Sequence, residues 1–182
     1  MAKKEQLKPV VSVFGANDPR VGEEAYEYAR AVGRALAGLG YVVATGGYSG
    51  TMEAAARGAK EAGGRTIGVT CRLWRSAANS YIDTVMETDD LYHRMRTLVE
   101  LGQGGYVAMS GATGTLVELA LAWELMCKGF LTARPLVCMG NFWRPLVEMI
   151  SRQNVKAMEY IVSVQSPDEL SRYFPQAGPK EP

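Results

Sequence analysis

Within Ser110-Gly-Ala-Thr-Gly-Thr-Leu-Val-Glu118, glycines, hydroxyl residues and a carboxylate stand close enough together to do chemistry. Gly111 and Gly114 let the backbone approach an oxyanion closely, and Thr113 and Thr115 add hydroxyl donors. The stretch follows the apolar run Tyr106-Val-Ala-Met109 and leads into Leu119–Met126, which carries apolar residues at helical spacing. It therefore reads as strand, tight loop and helix start. The first turn of a helix leaves backbone N–H groups unpaired at the positive end of the dipole, which suits an anion such as phosphate. Glu118 falls about one turn into that helix, and a carboxylate beside a phosphate cradle points to a reaction next to the anion. The plainer readings are that the glycines only turn the chain and that Glu118 is a solvated first-turn acid favoured by the dipole.

A second glycine-rich loop, Gly46-Gly47-Tyr-Ser-Gly50, precedes Thr51-Met52-Glu53 and another helix start. Alone it is a turn; as one of two such loops after parallel strands it is expected to share a crevice with the first, adding Gly46, Gly47, Gly50 and Thr51 to the nucleotide-binding candidates. Glu53 and Gly15, which ends the first strand, are further candidates. Neither loop is the dinucleotide fingerprint G-x-G-x-x-G or a P-loop with its Lys-Ser or Lys-Thr, so hydride transfer from NAD and ATP hydrolysis are not expected. No G-x-S-x-G elbow is present, so Ser-His-Asp hydrolysis lacks its parts. Arg94 and Arg96 lie two apart on one expected helix, so only one of them faces any given site, and a surface ion pair is the plain reading of either. His93, the chain's one histidine, has no ligand-spaced partner and no metal site or cofactor is expected.

These residues need elements to hold them. Pro9–Phe14, Tyr41–Thr45 and Arg65–Thr70 read as strands, with helices over about 23–39 and 51–62 between them. Cys71–Ser80 has no clear period and reads as a surface loop placed to act as a lid. A short strand within Tyr81–Thr88, a helix capped by Asp89 or Asp90 and running to about Leu101, and the strand at Tyr106–Met109 follow. Pro135–Met139 and Ile161–Val164 are the remaining strands, Trp143 to about Arg152 a helix, and Ser166 the N-cap of a final helical turn. Alternating strands and helices imply an α/β fold: a Rossmann-like, doubly wound, mostly parallel sheet with helices on both faces and ligands beyond the carboxyl ends of the strands.

With 182 residues, 47% of them hydrophobic, residues 1–182 are expected to form one nucleotide-binding domain with polar tails at 1–8 and 176–182. A formal charge of +1 and no basic block interleaved with aromatics argue against a nucleic-acid partner. Cys71, Cys127 and Cys138 are odd in number and widely spaced, which argues against a disulfide framework. With a charged start and no apolar run near ~18 residues, the expectation is a cytoplasmic protein with no membrane partner.

Taken together, Gly46-Gly47-x-x-Gly50-x-Met52-Glu53, an arginine on the helix before the central strand, and Gly111-x-x-Gly114-Thr115-x-x-Glu118 resemble the LOG (Lonely Guy) family and its bacterial relatives, long labelled lysine-decarboxylase-like. The resemblance runs from about Val10 to the helix after Pro135. It implies a Rossmann-like homodimer or higher homo-oligomer that hydrolyses the N-glycosidic bond of nucleoside 5′-monophosphates, releasing the base and ribose 5-phosphate. The family signature P-G-G-x-G-T-x-x-E places its catalytic glutamate on Glu118, while Ser110 and Ala112 stand where the family has proline and glycine. Its catalytic arginine falls near Arg94, with Arg96 the alternative, and Met95 replaces the lysine that usually follows. The superfamily also contains nucleotide sensors and a molybdenum-cofactor carrier, so a non-catalytic nucleotide- or molybdenum-cofactor-binding carrier is the second expectation, and on either reading the partner is a nucleotide or other phosphorylated small molecule.

Overall fold

Short runs of valine and small apolar residues favour extended backbone buried on both faces. In the computed structural model, which describes residues 8–177, such runs form the inner strands of one seven-stranded sheet, whose edge strands are more exposed. The strands are β1 (Val10–Phe14), β2 (Val42–Thr45), β3 (Thr66–Cys71), β4 (Thr84–Thr88), β5 (Gly105–Ala108), β6 (Leu136–Met139) and β7 (Val162–Val164). Their order is β4-β3-β2-β1-β5-β6-β7, and every pairing is parallel. The helices are α1 (Glu24–Gly38), α2 (Thr51–Glu61), α3 (Leu91–Leu101), α4 (Thr113–Cys127) and α5 (Arg144–Ser151), with short 3-10 turns at Arg72–Trp74, Val155–Tyr160 and Pro167–Arg172.

Alternation along each strand sorts the core into two layers. Val11, Val13, Val43, Val107 and Val137 point to the side covered by α1 and α2, where Tyr26, Val32, Leu36 and Ala55 meet them. Phe14, Ala44, Tyr106, Ala108 and Cys138 point to the other side, packed by Leu98 of α3, Leu119 and Trp123 of α4 and Val147 of α5. Ser12 is buried on this second side and stays satisfied because its hydroxyl donates to the Leu98 carbonyl at 2.6 Å. Two of the helical starts carry side-chain caps: Asp90 accepts from the His93 N–H at 2.8 Å, and Ser166 forms a capping box with Glu169.

The chain moves outward from β1 to β4 on one side and from β5 to β7 on the other, so the winding direction reverses between β1 and β5. That is the point at which an open parallel sheet forms a crevice beyond its strand ends. The Gly15 and Ser110 loops leave β1 and β5 there. Their helices then go to opposite faces, and the loops splay apart. The expected tails at 1–8 and 176–182 lie mostly outside the described residues. Where it can be described, the second begins against the end of α1, the Ala177 N–H donating to the Leu39 carbonyl at 2.8 Å.

Candidate active site

The crevice is a cavity of about 680 Å³. Its walls come from the end of β1 (Gly15 to Asp18), the β2–α2 turn with the first residues of α2, the 74–79 segment, Arg94 of α3 and the start of α4. α4 opens at Ala112 with no side-chain cap, so the first N–H groups of an apolar helix face the cavity edge beside Gly114 and Thr115. Thr115 is buried and Gly111 lets it be: a Cβ on Gly111 would lie 2.2 Å from the Thr115 Oγ1.

Glu118 follows one turn later on the inner side of α4 and is only 7% exposed. Arg94, 5% exposed, reaches it from α3 with its Nη1 3.3 Å from the Glu118 Oε1. The guanidinium is held on other sides as well. Its Nε donates to the Val69 carbonyl at 2.8 Å, and its Cζ lies 5.7 Å from the Tyr48 ring centre and 5.1 Å from that of Trp74. Gly46 explains how so large a cation fits, because a Cβ there would lie 1.9 Å from the Arg94 Nη2. Burial pushes the Glu118 carboxyl up from 4.5 to about 7, with Arg94 pulling the other way by charge and hydrogen bond. Near neutral pH the group is therefore poised between its two forms.

Of the residues singled out in the sequence, the structure brings Gly15, Glu53, Arg94, Gly114, Thr115 and Glu118 to the cavity wall. Gly46, Gly50, Thr51 and Gly111 sit one layer behind it. Gly50 takes φ +68 with Asn17 close beside it, and the buried Thr51 donates its backbone N–H to the Ala16 carbonyl at 2.9 Å. Gly47 turns the loop at φ +80 and receives two hydrogen bonds from Asn79. Thr113 is exposed at the helix start and does not line the cavity. Arg96 points outward to Glu100 at 2.8 Å, one turn along the exposed face of α3, and has no place in the site. Glu53 is fixed by the buried Tyr26, whose hydroxyl donates to it at 2.8 Å; burial and that carboxylate push the Tyr26 phenol up to about 12.

Several lining residues were not legible as site residues: Asn17, Asp18, Tyr48, Trp74 and Asn79. The 71–80 loop lies over the strand ends as expected, but it is tied down. The Tyr48 hydroxyl accepts from the Cys71 N–H at 2.8 Å and donates to the Cys71 carbonyl at 3.3 Å, and the Asn79 side chain donates to the Gly47 and Tyr48 carbonyls at 3.0 and 2.8 Å. The one signal available in the sequence was Trp74 itself, a large aromatic in a polar, aperiodic loop.

Comparison with known proteins places this geometry. A cytokinin riboside 5′-monophosphate phosphoribohydrolase of Mycobacterium tuberculosis is 34% identical over 116 residues, 62% of this chain and 61% of that enzyme, so the match spans less than two thirds of the relative. Among solved structures, the molybdenum cofactor binding protein of Rippkaea orientalis superposes with a TM-score of 0.74 at 24% identity, covering 92% of this chain and 95% of that one. The molybdenum cofactor carrier protein of Chlamydomonas reinhardtii gives 0.69 at 26% identity, covering 88% and 92%. The model of the SLOG cluster4 family matches residues 8–170, which takes in the whole sheet and all the loops that build the cavity, and the chain belongs to that family.

Proposed function

We propose that the chain is a nucleoside 5′-monophosphate phosphoribohydrolase, and the observation that carries this reading is the buried Glu118–Arg94 pair on the cavity wall beside the uncapped start of α4. The phosphate is held by the backbone N–H groups and hydroxyl around Gly114 and Thr115, where the helix dipole favours negative charge. Glu53, fixed by Tyr26, is available to accept from the sugar hydroxyls. As the bond from C1′ to the base nitrogen breaks, positive charge builds on the sugar and the electron pair leaves with the base. The Glu118 carboxylate stabilises that charge and orients the water whose oxygen bonds to C1′. The water's proton balances the one the base takes up, and Arg94 offsets charge growing on the leaving base.

Incubation of the protein with AMP and other nucleoside monophosphates, with chromatography for free base, tests this. Release by wild type and a loss of turnover in Glu118→Ala, with binding retained, is the expected result. Equal traces from both proteins would refute it.

A second reading, a carrier of a nucleotide or molybdenum cofactor, is supported by the similarity to the two cofactor-binding proteins and by Ser110 and Ala112 in the signature stretch. Native mass spectrometry of freshly purified protein separates the two, since a hydrolase does not retain intact substrate. Assembly as a homodimer belongs to the proposal as well. α4 is apolar nearly all round, and its outward strip of Val117, Leu121 and Leu125 is exposed or half-buried, as a second copy would require. Cys71, Cys127 and Cys138 are free, which suits a reducing cytoplasm, and no helix among the described residues is long and apolar enough to cross a membrane.

A further inference from the structure

Trp74 is the odd member of the chain's three tryptophans. Trp123 and Trp143 are each 6% exposed, and their indole N–H groups donate to the Ala157 and Met109 carbonyls at 2.8 Å in both cases. Trp74 is 48% exposed and lines the cavity. A large aromatic surface left in water at the edge of a cavity is a cost that a bound apolar or aromatic group removes. Its placement is also fixed in advance. The ring lies 5.5 Å from Tyr48, whose hydroxyl is bonded in both directions to the Cys71 backbone, and Arg94 stands below both rings. Arg75, next in the chain, takes a left-handed turn at φ +49 and ends the short helix that presents the indole.

We infer that Trp74 is the stacking platform for the planar heteroaromatic ring of the ligand, with Tyr48 as its backing. This rests on the proposed reading of the site as one for a phosphorylated sugar carrying a base. The phosphate end belongs to the start of α4 and the ring end to the 74–79 segment, both of which line the cavity. Stacking is tolerant of ring identity because every base offers a π face, so Trp74 selects for a flat ring and not for one base.

The test uses the intact protein with AMP, GMP and ribose 5-phosphate. Only Trp74 is placed to report on the cavity by fluorescence. AMP and GMP are expected to quench the wild-type emission on binding, and ribose 5-phosphate to bind without that change. Trp74→Phe keeps a ring face, so it retains nucleotide affinity within a few-fold while the emission change disappears. Trp74→Ala weakens AMP binding, measured by calorimetry, by about 5- to 150-fold, the range expected for one lost stacking partner, and leaves ribose 5-phosphate unaffected. The inference is overturned if Trp74→Ala binds AMP as wild type does, if ribose 5-phosphate loses as much as AMP, or if wild type binds neither nucleotide. Equal losses would mean that Trp74 only holds the shape of the cavity wall. Trp74-dependent binding without base release would leave the stacking role standing and remove the hydrolase reading.

Discussion

Replacing Glu118 by glutamine should change how stability depends on pH, whatever reaction the site performs. In the folded protein the carboxyl is pushed up from 4.5 to about 7 by burial. Each tenfold change in proton affinity is worth ~1.4 kcal/mol, so the ionised form is about 3 kcal/mol costlier in the fold than in the unfolded chain. Between these two values the native protein holds more proton than the unfolded one. Stability from this group is therefore fully present below pH 4.5, declines as pH rises towards 7, and levels off above it. Glutamine does not titrate, so Glu118→Gln lacks that decline. The offset between the two proteins depends on how well the amide serves Arg94, but the change in offset with pH does not. Urea unfolding at pH 5, 6, 7 and 8 should show the variant gaining on wild type by about 2 to 3 kcal/mol across the series. A difference that stays flat within ~0.5 kcal/mol would mean that Glu118 titrates as an ordinary carboxylate and that its burial carries no cost.

The same group sets the rate profile if the carboxylate form stabilises the sugar cation: kcat/KM should rise with pH to a plateau with a midpoint near 7, and a midpoint near 4.5 would contradict the reading. Gly46→Ala places a methyl group 1.9 Å from the Arg94 Nη2 and 2.5 Å from the Met52 sulfur. Both neighbours are ends of flexible side chains, so the fold should yield at a modest cost of ~1 kcal/mol while the guanidinium shifts and activity falls about 100-fold; unchanged kinetics would show that Arg94 is not a positioned group. Leu121→Glu puts a charge in the outward strip of α4, and light scattering should report a dimer for wild type and a monomer for the variant; a wild-type monomer at micromolar concentration would end the assembly proposal.

Periodicity made the layered parallel sheet readable, because valine runs and helices with apolar faces carry their burial in the order of their residues. Arg94 and Arg96 show where that stops. Their spacing establishes that they diverge, but which one turns inward depends on α3 crossing behind β3, so that the Val69 carbonyl meets one guanidinium. α4 is the opposite case: apolar nearly all round, it hides which side faces the sheet, although the burial of Glu118 depends on that choice. The 71–80 loop was readable as a lid, but which of its residues line the cavity was not, for another reason. Tyr48, Trp74 and Asn79 come from two loops without period, joined by hydrogen bonds to backbone carbonyls of Gly47, Tyr48 and Cys71 that no side-chain pattern encodes.

The choice between hydrolase and carrier turns on what Glu118 costs. A pocket that only holds a phosphorylated ring is served by the uncapped start of α4, the Thr115 hydroxyl and an aromatic face, all of which are present. A carboxylate buried on its wall does not help such a pocket: it repels the phosphate and, at about 3 kcal/mol in its ionised form, weakens the fold. An arginine answering it from α3 reduces the penalty without removing it, since the carboxyl is still pushed up to about 7. Pairing alone is also an expensive way to join α3 to α4, which an apolar contact of similar volume achieves at no such cost. A preorganised negative charge is useful when positive charge develops beside it, and N-glycosidic cleavage provides that charge on the sugar. The same arrangement accounts for the proton poise, because a carboxyl near 7 can act as a carboxylate towards the sugar cation and still accept the proton that the attacking water loses.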